Sequence, residues 1–192
     1  MLDLDPDCAG ALASRGETYR LLKRYNEALA DFDRALKLDP SYAWAISRRG
    51  QTYHALKRYD QALQHFDRAI ESDPDEDWYF YERALIYRVM GQRHEAHGDM
   101  HTAIQRARQK YENDPRDWTN TFNLALYHLA AEESHVGMAL YKRGLSDGAP
   151  LSSIREAVLD LDEFLALFPE HQQVKAMREM LQAYVEGNNR SR

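Results

Sequence analysis

The chain has 192 residues, 29% charged and 44% hydrophobic, with a net charge of −6. That is the composition of an ordinary globular chain, and its acidic balance argues against nucleic acid, whose phosphates call for clustered Lys and Arg. A single cysteine, Cys8, excludes an internal disulfide and fits a reducing, cytoplasmic setting; no apolar run reaches the ~18 residues of a membrane span, and the acidic start reads as lacking a signal-peptide core.

Residues 1–8 read as the tail of a preceding repeat or an N-terminal stub, because Leu2-Asp3-Leu4-Asp5-Pro6 mimics Leu36-Lys37-Leu38-Asp39-Pro40. Two tandem stretches follow, Ala9–Tyr42 and Ala43–Glu76. Laid on one another with a shift of 34 they are identical at 18 of 34 positions, and a fixed period of this length marks a solenoid. Each stretch reads as two helices, about Ala9–Leu22 and Asn26–Leu38 in the first. Leu12, Tyr19 and Leu22 recur at near-helical spacing in one, Ala28, Leu29, Phe32, Ala35 and Leu36 in the other. Asp39-Pro40 ends the second helix, since proline has no amide hydrogen and biases its predecessor away from α. Gly16 lies mid-helix, at a cost of about 1 kcal/mol relative to alanine. Its return at Gly50 predicts a close approach of the second helix on the Ala28 side, with Tyr19, Tyr25 and Phe32 filling the gap.

Leu12, Gly16, Tyr19, Ala28, Phe32, Ala35 and Pro40, and again Ile46, Gly50, Tyr53, Ala62, Phe66, Ala69 and Pro74, resemble the pattern of the tetratricopeptide repeat. The resemblance implies an all-α, right-handed superhelical solenoid of antiparallel helix pairs whose concave groove binds peptides or protein segments. It implies no catalysis and no cofactor.

A third repeat covers 77–117. Counted from Pro74, Phe80, Ala84, Tyr87, Ala96 and Ala103 fall at repeat positions. Counted back from Pro115, Ala103 matches Ala28 instead, a difference of seven residues. Seven residues make nearly two turns, so a lengthened second helix, Glu95–Glu112, keeps its buried face aligned and projects beyond its neighbours by about 10 Å. A degenerate fourth repeat covers 118–151: Leu124, Ala125 and His128 replace Arg, Gly and Tyr, while Gly137, Tyr141 and Gly144 stand for Ala28, Phe32 and Ala35. Its run Leu124–Ala131 is apolar nearly all round and should be deeply covered. A C-terminal helix pair is expected in 152–186, with Ile154–Leu167 resembling a second-type helix and Val174–Tyr184 last. Residues 187–192 are expected to be a disordered tail.

The resemblance assigns the concave surface to the second, fifth, ninth and twelfth positions of each first helix. These are Gly10, Ala13, Glu17 and Arg20; Trp44, Ser47, Gln51 and His54; Trp78, Tyr81, Leu85 and Arg88; and Thr119, Phe122, Leu126 and Leu129. The Lys and Asn with which one subclass clamps a C-terminal carboxylate are missing, replaced by Ala13, Glu17 and Arg48. An apolar and aromatic groove of Trp44, Arg48, Gln51, Trp78, Tyr81, Leu85, Arg88, Phe122 and Leu126 instead suits a partner's apolar anchors. So wide an apolar patch would otherwise be covered by the chain's last helices or by a homodimer.

Other chemistry finds little support. His94, His97 and His101 share a helix at zinc-binding spacing, but the Gly98 break favours solvated side chains. Asp73, Asp75 and Asp77 alternate without the glycine and terminal glutamate of a calcium loop. Cys8 has no neighbouring histidine, and there is no phosphate-cradling or nucleophile motif. The expectation is therefore a non-catalytic scaffold without metal or cofactor, whose groove takes a peptide or protein partner. The alternative is an adaptor for nucleic acid or an acidic partner, using Arg106, Arg108 and Lys110 at the basic end of the long helix.

Overall fold

A computed structural model describes residues 8–190. Among them are ten α-helices and no strand: α1 (Ala9–Leu21), α2 (Tyr25–Leu38), α3 (Ala43–Ala55), α4 (Tyr59–Ser72), α5 (Asp77–Val89), α6 (Arg93–Asn113), α7 (Trp118–Ala130), α8 (Ser134–Ser146), α9 (Leu151–Leu167) and α10 (Gln172–Arg190). The chain divides after Asp99 into two compact units. The residues expected to form an N-terminal stub lie almost wholly outside the described ones.

In the first unit α1 pairs with α2 and α3 with α4, and each pair packs on the next helix, α2 on α3 and α4 on α5. The fold is that of a helical solenoid, as the period predicts. Packing explains the mid-helix glycines. A Cβ on Gly16 would lie 3.0 Å from the Phe32 ring and 3.3 Å from the Ala28 carbonyl oxygen; one on Gly50 would lie 3.1 Å from the Phe66 ring. Ala28, Phe32, Ala62 and Phe66 are fully buried at these contacts, while Tyr19 and Tyr25 are only half-covered.

The turns between paired helices repeat too. Lys23, Lys57, Gly91 and Glu132 have φ of 60°, 58°, 79° and 66°, the left-handed conformation that ends a helix. The next amide reaches back to an orphaned carbonyl each time: Arg24 to Tyr19, Arg58 to Tyr53, Gln92 to Tyr87 and Glu133 to His128, at 2.8–2.9 Å. The Asp-Pro stops work through the aspartate as well. Asp39, Asp73 and Asp114 each accept, through Oδ1, the amide N–H two residues on, at 3.0–3.3 Å, an Asx-turn that opens the next helix.

An arginine ladder ties helix to helix. Arg15 and Arg83 grip Asp31 and Asp99, sixteen residues on, through Nε and Nη2 at 2.6–2.7 Å. Arg49 and Arg83 meet Asp33 and Asp67, sixteen residues back, at 2.5 and 2.6 Å. Bidentate arginine–carboxylate pairs are the stronger kind of ion pair, and the double partnership raises the pKa of Arg83. At the place of Asp31 and Asp99, α4 carries His65. It stacks on Tyr53 with ring centroids 5.3 Å apart, and burial, with Arg49 and Arg68 nearby, pushes its pKa down to about 4.

The Arg83–Asp99 pair fixes α6 in the register counted from Pro74. Its 21 residues against 14 in α2 and α4 supply the seven-residue difference at the C-terminal end. That end does not project freely. In the second unit Ala107 is fully buried, and Tyr111 accepts a hydrogen bond from Arg143 of α8.

The second unit contains the pairs α7/α8 and α9/α10, with α9 also against α7. As expected, α7 is buried from Leu124 to Ala130. Helix α9 carries the second-type pattern, pairs with the last helix α10 and buries Ile154, Ala157, Leu161 and Phe164 along one stripe. One expectation needs correction. No disordered tail begins at Gly187: α10 runs on to Arg190, and the Asn188 side chain donates back to the Tyr184 carbonyl at 2.9 Å.

Candidate functional site

In the first unit the first helices α1, α3 and α5 touch one another, α3 lying between the other two. They form one layer, and the second helices α2 and α4 form the other. The face of the α1/α3/α5 layer is where the sequence places partner binding.

The four carried-over positions do not behave alike. The second position is accessible: Trp44 and Trp78 are half-exposed and Thr119 is exposed. The twelfth is accessible in the first unit, at Arg20, His54 and Arg88. The fifth is buried in all four pairs, at Ala13, Ser47, Tyr81 and Phe122. Ala13 shows why: it belongs to one cluster with Ala28, Phe32 and Ala35 of its own second helix. The ninth position is half-covered at Glu17 and buried at Gln51, Leu85 and Leu126.

Tyr81, Leu85, Phe122 and Leu126 are thus between 1% and 4% exposed, which corrects the expected open aromatic groove. Phe122 stacks on Tyr141 of α8, with ring centroids 5.4 Å apart. A Cβ on Gly144 would come within 2.4 Å of its ring, so Phe122 fills the space that the glycine leaves. Tyr81 packs beside Trp78 at 5.2 Å. Of the expected site, Trp44, Arg48, Trp78 and Arg88 keep accessible surface.

A polar chain joins the three first helices on this face. Arg20 grips Glu17 through Nε and Nη2, at 2.7 and 2.9 Å. Arg48 lies 3.9 Å from Glu17 and donates to Gln51 Oε1 at 2.7 Å. Gln51 in turn donates to Glu82 Oε1 at 2.8 Å. The Arg48 guanidinium also sits over the Trp44 ring, 5.4 Å from its centre. Burial raises the pKa of the Glu82 carboxyl against the opposing pull of the Gln51 hydrogen bond. Beside this chain Ser47 donates to the Trp44 carbonyl at 2.8 Å, and burial pushes the Tyr79 hydroxyl up to about 12.

Glu82 was missed from the sequence. The signal was its place thirty-four residues after Arg48, where a charge in a first helix must find a partner on its neighbour. Gln51 was singled out for partner binding, but both ends of its amide are engaged within the chain.

The other candidates stand as follows. His94, His97 and His101 are exposed, and among the described residues no three His, Cys, Asp or Glu side chains come together to hold a metal ion. Asp77 is fully buried as the first residue of α5. Of the basic trio on α6, Arg108 is exposed while Arg106 and Lys110 are half-buried and engaged with other groups. Cys8 is exposed and caps α1, its Sγ accepting the Ala11 amide at 3.4 Å. No described helix is long and apolar enough to cross a membrane.

Comparison with known proteins places this geometry. The model of the tetratricopeptide repeat family matches residues 19–80. No curated protein matches the chain. Among solved structures, MamA is similar at 20% identity, with a TM-score of 0.50 over 76% of this chain and 81% of that one. The CopN–Scc3 complex is similar at 19% identity with a TM-score of 0.49; 52% of this chain is covered, and this chain spans only 58% of the other's length. The second TPR domain of Spaghetti (RPAP3), bound to the HSP90 peptide SRMEEVD, is similar at 23% identity with a TM-score of 0.49 over 50% of this chain and 90% of that one. Over residues 19–80 the chain thus matches the tetratricopeptide repeat.

Proposed function

We propose that the protein is a non-catalytic interaction scaffold that takes a segment of a partner protein on the α1/α3/α5 face of its first unit. One observation carries this reading. The face keeps four accessible aromatics and cations, Trp44, Arg48, Trp78 and Arg88, and Arg48 is itself a link in a polar chain already tied within the protein. Side chains held in place by their neighbours lose little entropy on binding, and tryptophan and arginine are the residues that most often dominate binding energy. Trp44 and Trp78 offer flat apolar surface, while Arg48 and Arg88 offer donors for carboxylates or carbonyls of the partner. Five of the nine expected groove residues are buried, Gln51 among them, so the contact is smaller and more polar than an aromatic groove would give.

The test is selection from a random peptide library on the whole protein, with selected peptides re-measured on variants. Binding should fall at least tenfold with Trp44→Ala or Arg48→Ala and stay unchanged with Gln64→Ala on the exposed side of α4. Peptides that bind all three variants alike would place the contact elsewhere, and a selection that yields no binder would remove the reading.

A further inference from the structure

One rung of the arginine ladder differs from the others. Arg83 is held by two carboxylates: Asp67 behind it through Nη1, and Asp99 ahead of it through Nε and Nη2, at 2.6–2.7 Å. Arg15 grips the carboxylate ahead, Asp31, through the same Nε and Nη2. Arg49 stands one repeat after Arg15 and one before Arg83. It meets the carboxylate behind, Asp33, through Nη2 at 2.5 Å. Sixteen residues ahead of it, where the other two arginines find aspartate, stands His65.

The exchange sets two nitrogens without partners beside one another in the pattern. Among the described residues, Arg49 Nε and His65 Nδ1 are both buried and neither has a hydrogen-bond partner. Buried polar groups are normally satisfied, and an orphaned donor is costly. The acids of the neighbourhood are engaged elsewhere, Asp33 with Arg49 Nη2 and Asp67 with Arg83. Arg68, three residues along α4, adds a further cation, and with Arg49 it weighs against a proton on the His65 ring. Imidazole Nδ1 lies two bonds from Cβ, as the oxygens of an aspartate do, so it sits at the depth where Asp31 and Asp99 meet their arginines. Yet the ring stacks on Tyr53, and the Tyr53 hydroxyl accepts from Arg49 Nη2, not Nε, at 3.4 Å. His65 is 9% exposed and the Arg49 side chain 21%, so the place is enclosed but reachable from solvent beside the arginine.

We infer that Arg49 and His65 together bind a carboxylate from outside the chain, one oxygen accepting from Arg49 Nε and the other from His65 Nδ1. It stands in for the aspartate of the other two rungs and ties α3 to α4 as Asp31 ties α1 to α2. Two oxygens answer two donors, which a spherical ion cannot do. A bound anion favours the protonated imidazole, so His65 should titrate above the value of about 4 to which burial and the two arginines hold it.

The test replaces sodium chloride stepwise by sodium formate around the whole protein, at constant ionic strength. The His65 ring resonances, assigned by their loss in His65→Asp, are followed by NMR, and the urea midpoint is measured alongside. A saturable shift is expected, with a His65 pKa at least one unit higher in formate and a raised midpoint. Arg49→Lys keeps a cation for Asp33 but has no Nε–H, and should weaken binding at least tenfold. His65→Asp supplies the carboxylate from within; it should exceed the wild type in stability and ignore formate. N-acetylaspartate amide presents the same group on a backbone. Binding as tight as that of formate would make an acidic side chain of a partner the source, and binding of formate alone would make it a free small acid; both support the site. A response that does not saturate, chloride serving as well as formate, or equal stabilisation of the wild type and His65→Asp overturns the inference.

Discussion

The α1/α2 pair of the first unit and the α7/α8 pair of the second solve one packing problem from opposite sides. In α1/α2 the first helix gives up a side chain: Gly16 lies under Phe32 and the Ala28 carbonyl. In α7/α8 the corresponding residues are exchanged, with Ala125 on the first helix and Gly137 on the second. A Cβ on Gly137 would lie 2.5 Å from the Ala125 carbonyl oxygen. One turn away, the first pair sets Ala13 near Ala35, while the second sets Phe122 against Gly144. The contact requires that one helix be bare where the other is full, and it is indifferent to which. Interiors are close-packed, so the sum of volumes across a contact is constrained more tightly than either residue. A repeat can thus lose its pattern and keep its fold.

The sharpest break of this comparison is alanine at each glycine. Gly137→Ala should destabilise by about 3 kcal/mol, because its Cβ would strike backbone that cannot swing away. Gly16→Ala, with ring atoms at 3.0 Å and about 1 kcal/mol of helix propensity in its favour, should change stability by about 1 kcal/mol or less. Urea denaturation of both variants measures the difference; equal effects would refute the exchange.

A double-mutant cycle sharpens it. Gly144→Ala should cost about 2 kcal/mol against the Phe122 ring, and Phe122→Ala about 3 kcal/mol through the cavity left. Together they recreate the alanine pair of α1/α2, so the double variant should be more stable than the sum predicts by about 1 kcal/mol or more. Additive losses would mean that the two residues do not share the space.

The α3/α4 pair differs from α1/α2 in carrying His65 where α2 carries Asp31, and pH reads that difference. Burial holds His65 near 4, against about 6.5 in an unfolded chain. Between these values the unfolded chain binds a proton that the folded one refuses. Stability is therefore complete above pH 6.5 and falls as the pH drops toward 4, by about 2 kcal/mol between pH 7 and pH 5. His65→Gln should flatten the fall over that window, leaving the smaller part due to His128, which burial also lowers. A curve unchanged by His65→Gln would refute the assignment.

The smallest effect tests where the pairs agree. Lys23 and Glu132 both end a first helix in the left-handed conformation that Gly91 adopts without cost. Lys23→Gly and Glu132→Gly should each raise stability by about 0.5–1 kcal/mol, measured by thermal unfolding. A gain in one pair only would show that the turns, like the contacts, have diverged.

The period of 34, the helix stops at Asp39-Pro40 and Asp73-Pro74, and the glycine contacts at Gly16 and Gly50 were all decided by the sequence itself, because each is a relation between residues near in the chain or one repeat apart. The lengthening of α6 was legible for the same reason, as an offset between two countings. Tertiary structure alone decided which first-helix residues remain outside. Tyr81, Leu85, Phe122 and Leu126 have the side chains of a binding groove and the burial of a core, and sequence pattern weighs the two alike. Gln51 and Glu82 likewise read as separate surface polars until packing of α3 on α5 joins them. Local periodicity fixes which stripe of a helix is apolar; only packing of the neighbours decides what covers that stripe, since burial belongs to a pair of surfaces and not to one residue.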